Sequence, residues 1–254
     1  MTSGDHDRRG AGPVRLSGAA STLLGPLAGR RRLRLTEVAR TRLTVHYETG
    51  VPAVPVLCVA LPGAVRLPAT LLSSRLPAPS AHDGATPTSI AVTRWWRPAR
   101  PPRLAVPAPA VLERLPEPPY DVLDPLALVG RGEGLTPQGD DVLAAALVTA
   151  RATGDPRLAG WCARTRLALA TRRTTAVSRG LLHHALEGWA TPELVDVLVA
   201  LGGADADTVD RAVQRLLAVG RTSGAALLDG VALTLTTRHL PTGGPPRPVH
   251  EGAA

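Results

Sequence analysis

Between residues 97 and 119 the sequence reads RPARPPRLAVPAPAVLERLPEPP. Proline at this density removes backbone donors and clashes with the preceding helical turn, so neither a long helix nor a central strand can run through it. The segment predicts a connector with at most one short helix. It also separates two stretches of different period. Upstream, RRLRLTEV and TRLTVHY set Leu33, Leu35, Leu43, Val45 and Tyr47 at alternate positions, the period of half-buried strands. VPVLCVAL and SIAVTRWW read as further strands, on either side of a Pro-, Ser- and Gly-rich loop at 77–88. Downstream, Leu, Val and Ala recur at helical spacings near 137–153, 156–170, 175–188, 192–201, 205–219 and 223–237. The expected fold class is α+β. It comprises a small β-rich N-terminal domain over 13–106, a Pro-rich connector over 107–120 and an α-helical C-terminal domain over 121–240. Residues 1–12 and 241–254 read as disordered ends.

The most apolar run, at 51–61, is short and interrupted by Pro52 and Pro55, so no membrane-spanning helix is expected. The start carries two aspartates and no apolar core of a secretion signal, which points to the cytoplasm. Cys58 and Cys162 stand far apart with no ligand spacing around them and read as core thiols. The net charge of +8 would ordinarily suggest a polyanionic partner. Here every basic residue is Arg, and Lys, Asn and Phe are absent, a skew that a GC-rich genome would produce. Nucleic acid is therefore not the expected partner.

Chemistry concentrates at three helix starts of one kind. In GLTPQGDD, Thr136 fits an N-cap and Pro137 the first helical position. Asp140 and Asp141 then fall in the first turn, where the helix dipole favours negative charge. Gly139 weakens that turn, and Gly130, Gly132 and Gly134 exceed what a cap requires, so these glycines suit close approach of backbone to a ligand. On this reading Gly139→Ala keeps or raises helix stability while impairing activity. In RRTTAVSRG, Thr174 and Thr175 open a helix with Ser178 one turn on and Arg172, Arg173 and Arg179 around them. In VGRTSGAALLDG, Thr222 or Ser223 caps a helix, with Arg221 before it and Gly224 just inside. Free backbone N–H groups, a hydroxyl and a guanidinium are the ingredients of a phosphate or carboxylate site. Asp140 and Asp141 are the candidate catalytic pair. No cofactor is fixed by the sequence, although adjacent carboxylates are of the kind that holds Mg²⁺ when further ligands join them.

Other features read as structural. His183 and His184 project about 100° apart on a helix and do not face one metal. RWWRPARPPR interleaves Arg with Trp95 and Trp96 and could stack bases, but reads first as an exposed β-edge with one Trp in the core. Arg30, Arg31 and Arg32 read as a solvated strand end.

The motifs GRGEGLTPQGDD, TTAVS and AVGRTSGAALLDG, in that order over the last half of the chain, resemble the AllH-type subunit family of oxamate carbamoyltransferase, long known as a bacterial domain of unknown function. The resemblance implies a helical C-terminal region after a β-rich N-terminal one. It also implies a multi-subunit enzyme of purine-nitrogen catabolism that converts oxalurate and phosphate to oxamate and carbamoyl phosphate, with other carbamoyltransferase subunits as partners. GLTPxGDD is its specific element. Three positions depart from the family pattern: Gln138 where Ser is usual, Arg221 where His is usual, and Ala226 where Asp is usual. Every species in that reaction is an anion, which convergent helix N-termini with Arg support would suit. The alternative within the same family is a non-catalytic assembly subunit.

Overall fold

The computed structural model of the chain describes residues 14–30, 33–79 and 85–239. The two ends expected to be disordered lie outside the described residues, as do Arg31 and Arg32.

The alternating half forms six strands among the described residues: β1 (Val14–Ser21), β2 (Leu33–Arg40), β3 (Thr44–Val51), β4 (Val54–Ala60), β5 (Thr70–Leu72) and β6 (Thr86–Trp96). Their order is β1-β5-β4-β3-β2-β6, and β6 returns to β1, so the sheet closes into a barrel. β2, β3 and β4 form an antiparallel meander, while β1 runs parallel to β6 and β4 parallel to β5. Closure removes the open edges that a sheet of short strands would otherwise expose. The interior is filled by Leu16, Leu35, Val45, Tyr47, Leu57 and Leu71, among others. β1 and β5 escape the sequence pattern, because VRLSGAAS alternates weakly and β5 has only three residues.

Two expectations change here. The segment ending in Trp95 and Trp96 is a strand of the closed barrel, not an open edge. Trp96 is half-buried and its indole N–H donates to the Ala19 carbonyl at 3.2 Å, whereas Trp95 is 46% exposed. Leu43 precedes β3 and is half-buried outside the barrel core, because the strand begins one residue later at Thr44.

β4 shows how the two halves meet. Leu57 and Val59 point into the barrel, yet Val56 and Cys58 on its outer face are buried as well. A strand covered on both faces reads as a continuous apolar run, which is what VPVLCVAL is. The cover on that outer face is helical.

Beyond the connector, which holds the short helix α1 (Pro109–Leu112), come α2 (Pro125–Leu128), α3 (Gln138–Thr153), α4 (Leu158–Thr171), α5 (Ala176–Leu186), α6 (Pro192–Leu201), α7 (Ala206–Leu217) and α8 (Ser223–Thr236). All of α3 except Gln138 and Arg151 is buried. A helix apolar on every side must be surrounded, and α4, α5 and α8 surround this one. The contact with α8 is backbone to backbone: a Cβ on Gly230 would lie 2.2 Å from the Val142 carbonyl oxygen. Helix α5 in turn rests on the barrel, where a Cβ on Gly180 would lie 2.9 Å from the Val56 Cβ. Cys58 and Cys162 are both buried and free. Among the described residues no helix is long and apolar enough to cross a membrane.

Candidate functional site

The three helix starts picked out in the sequence converge on the N-terminal turn of α3. The Thr174 hydroxyl, just before α5, donates to Asp140 Oδ2 at 2.5 Å. The Thr136 hydroxyl donates to Asp141 Oδ2 at 3.1 Å and lies 3.0 Å from Ser223 Oγ at the start of α8. Segments far apart in the chain are thus tied together through two adjacent carboxylates.

The carboxylates serve different surroundings. Asp140 is fully buried, and its Oδ1 accepts from the Gly130 backbone N–H at 2.9 Å while Oδ2 holds Thr174. Gly130 has φ of 76°, and a Cβ there would lie 2.1 Å from the Arg173 carbonyl oxygen, so only glycine allows the 129–137 loop to cross the α5 start. Thr175 fastens the same loop: its hydroxyl donates to the Leu135 carbonyl while accepting from the Ser178 N–H at 3.0 Å. Asp140, Thr174 and Thr175 therefore anchor the glycine loop.

Asp141 looks the other way. It is 2% exposed and lines a cavity of about 620 Å³ between the barrel and the helices. Gly134, Thr136, Arg221, Thr222 and Ser223 line it too. Burial pushes the Asp141 carboxyl up to about 7, against the hydrogen bonds from Ser223 and Thr136 that favour the charged form, and the neighbouring Asp140 adds to the rise. A buried carboxyl that titrates near neutrality in a cavity is suited to proton transfer. Gly134 has φ of 98° with nothing near its Cα side, so it turns the loop at the cavity mouth. Arg221 is exposed at its rim.

Several sequence expectations are corrected. Thr136 does not cap α3: the capping position is Pro137, without a side-chain cap, because the helix begins one residue later. Thr222 occupies the capping position of α8 but its side chain makes no capping bond, and Ser223 is the first helical residue. Gly139 does not bring backbone to a ligand. A Cβ there would lie 2.2 Å from the Leu128 carbonyl oxygen, and its N–H already donates to the Arg131 carbonyl at 2.9 Å. Gly224 likewise packs against Leu216, whose carbonyl oxygen would be 2.1 Å from a Cβ, and its N–H donates to Val219. The first turn of α3 is not an open anion cradle either, since the Asp140 and Asp141 N–H groups both donate to the Pro137 carbonyl. Gly132, with φ of 106°, is exposed beside Gln138 and is not among the residues lining the cavity. Ser178 is also outside the lining, with its buried Oγ lacking a hydrogen-bond partner. Arg172, Arg173 and Arg179 are exposed.

The barrel wall of the cavity was not foreseen. His46 sits between the inward-pointing Val45 and Tyr47, so the strand period turns it outward onto the helices, where it is 4% exposed. Its Nε2 lies 3.0 Å from the Thr44 hydroxyl, its Nδ1 is buried without a partner, and burial lowers its pKa to about 4. Its cross-strand neighbour Cys58 lines the cavity as well, with burial raising the thiol to about 12. The only sequence signal for this wall was the unbroken apolar run of β4. His183 and His184 lie edge to face at 5.1 Å, with His184 buried and His183 half-buried. Among the described residues no group of three or more His, Cys, Asp or Glu side chains is placed to hold a metal ion.

The geometry thus defines a barrel joined to a helical region, with a cavity between them whose polar end is built from the sequence motifs. The helical region carries a family match: residues 128–235 fit the model of oxamate carbamoyltransferase subunit AllH, which supports the AllH-type family resemblance. The matched span contains the three motifs and leaves the barrel outside it. Comparison with curated proteins and with solved structures yields no match.

Proposed function

We propose that the chain is a subunit of an oxamate carbamoyltransferase-like enzyme and that the cavity is its ligand site. The observation that carries this reading is the placement of Asp141, Thr136, Ser223 and Arg221, drawn from two separate motifs, around one end of one cavity. Arg221 grips the carboxylate or phosphate of the ligand with its planar guanidinium. Asp141 handles the proton. In oxalurate phosphorolysis a phosphate oxygen bonds to the ureido carbonyl carbon, the bond from that carbon to the oxamate nitrogen breaks, and the nitrogen takes up a proton. The protonated Asp141 carboxyl supplies that proton and recovers one from the attacking phosphate. Ser223 and Thr136 set its orientation. Other subunits of the carbamoyltransferase are the partners. A Mg²⁺ ion would draw on Asp141 rather than on the adjacent pair, since both Asp140 oxygens already bind protein donors.

A second reading, a non-catalytic assembly subunit, is favoured by the number of motif residues that serve packing, Gly139 and Gly224 above all. Titration calorimetry of the purified chain with phosphate and with oxamate between pH 6 and 8 separates the two. The ligand-site reading expects saturable binding that weakens about tenfold in Arg221→Lys and, beside the dependence that Asp141 imposes near pH 7, gains a further pH dependence in Arg221→His. No binding by the wild-type chain favours the assembly reading.

A further inference from the structure

The walls of the cavity are of the wrong kind for oxamate alone. Away from Asp141 and Arg221 they are mostly apolar, with Leu43 and Leu67 from the barrel side and Val148, Leu181, Leu194 and Leu227 from the helices, beside the polar Thr44, His46 and Thr191. A volume of about 620 Å³ lies in the range that holds a drug-sized ligand. A small anion that is polar at every atom would leave those walls in contact with water and gain nothing from them. Two buried polar groups belong to opposite sides of the space: Asp141 on α3, and His46 on β3 with its Nδ1 unpartnered. We infer that the ligand is a ureido carboxylate bearing an apolar substituent, with its carboxylate at Arg221, its ureido group at Asp141 and Ser223, and the substituent against the leucines and valines. This deepens the proposed function and rests on its placing of the ligand in the cavity. The arginine at 221 and the apolar walls then act together, the first for the charge and the second for the body.

N-carbamoyl-glycine, N-carbamoyl-alanine, N-carbamoyl-valine and N-carbamoyl-leucine form a test series, titrated calorimetrically into the full chain beside oxalurate. Affinity is expected to rise about fourfold for each added methylene that the cavity buries, with oxalurate among the weakest. Leu67 lies on a half-buried loop segment, so Leu67→Asp leaves both cores intact and should flatten the rise. Arg221→Gln should weaken every member by a similar factor. A flat series, or oxalurate binding more tightly than N-carbamoyl-leucine, overturns the inference. If oxalurate still binds and loses affinity in Arg221→Gln, the proposed function survives that failure; if no member binds, both fall. Circular dichroism of each variant confirms folding, and a Leu67→Ser protein supplies the second point if Leu67→Asp fails to fold.

Discussion

On one side of the α3 start, Asp140 has both carboxylate oxygens filled, by the Gly130 N–H and the Thr174 hydroxyl, and no exposed surface. On the other side, one residue along, Asp141 holds the Thr136 hydroxyl and faces a cavity. Helical geometry separates the two side chains by about 100°, so neighbours in sequence enter different environments. The anchor side spends its polar groups on positioning the loop. The cavity side keeps a carboxyl desolvated and close to its titration point. Glycine follows the same division: Gly130 and Gly139 serve backbone contact, while Gly134 turns at the open mouth.

The largest effect expected from this contrast is in the pH dependence of stability. The Asp141 carboxyl sits at about 7 in the fold and near 3.9 when unfolded, so the native state holds the proton more tightly. Its contribution is full below about pH 4 and is lost as pH rises through about 7. Urea unfolding of the wild type and of Asp141→Asn should therefore diverge in favour of the variant by on the order of 4 kcal/mol between pH 4 and 8. The buried His46 and His184, lowered to about 4, act in the opposite sense and lose stability as pH falls from about 6.5, equally in both proteins. Parallel curves for the two proteins would break the contrast.

Next in size, Asp140→Ala should cost about 3 kcal/mol at neutral pH, because it strands the part-buried Gly130 N–H and Thr174 hydroxyl and empties a buried site. An unchanged urea midpoint would show that the anchor is not one. Gly139→Ala should cost about 2 kcal/mol through overlap with the Leu128 carbonyl. Helix propensity alone predicts the reverse sign, so this substitution separates packing from propensity in a thermal melt. The smallest effect on stability is at the exposed Arg221, where Arg221→Lys should leave the unfolding free energy within about 0.5 kcal/mol of wild type while weakening phosphate binding about tenfold, or about 1.4 kcal/mol.

How much of this was legible depends on the range of the interaction. The positions of α3 to α8 and of the strands β2, β3, β4 and β6 follow from local periodicity, whereas the one-turn α2 is too short to show a period, and the motif residues announced themselves as helix starts. Barrel closure was not legible, since it depends on β1 pairing with β6 across more than half of the first region, and β1 carries little alternation. The roles of Gly139 and Gly224 were missed because a glycine admitting another backbone looks, in sequence, like one admitting a ligand. His46 went unread because nothing beside it says that the outer face of β3 is covered; the relevant sign lay one strand away, in β4. Asp140 and Asp141 were separable in advance only by their angle on the helix, and their partners had to come from Thr174 and from Ser223.

The central claim is that the Asp141 side is a working ligand site and the Asp140 side is not. Its most direct test is the pH profile of oxalurate phosphorolysis by the reconstituted complex carrying the wild-type chain or Asp141→Asn. The account predicts that Asp141→Asn assembles normally, loses about 100-fold or more in rate, and loses the inflection near pH 7 shown by the wild type. An Asp141→Asn complex with the wild-type rate and the wild-type inflection would contradict it.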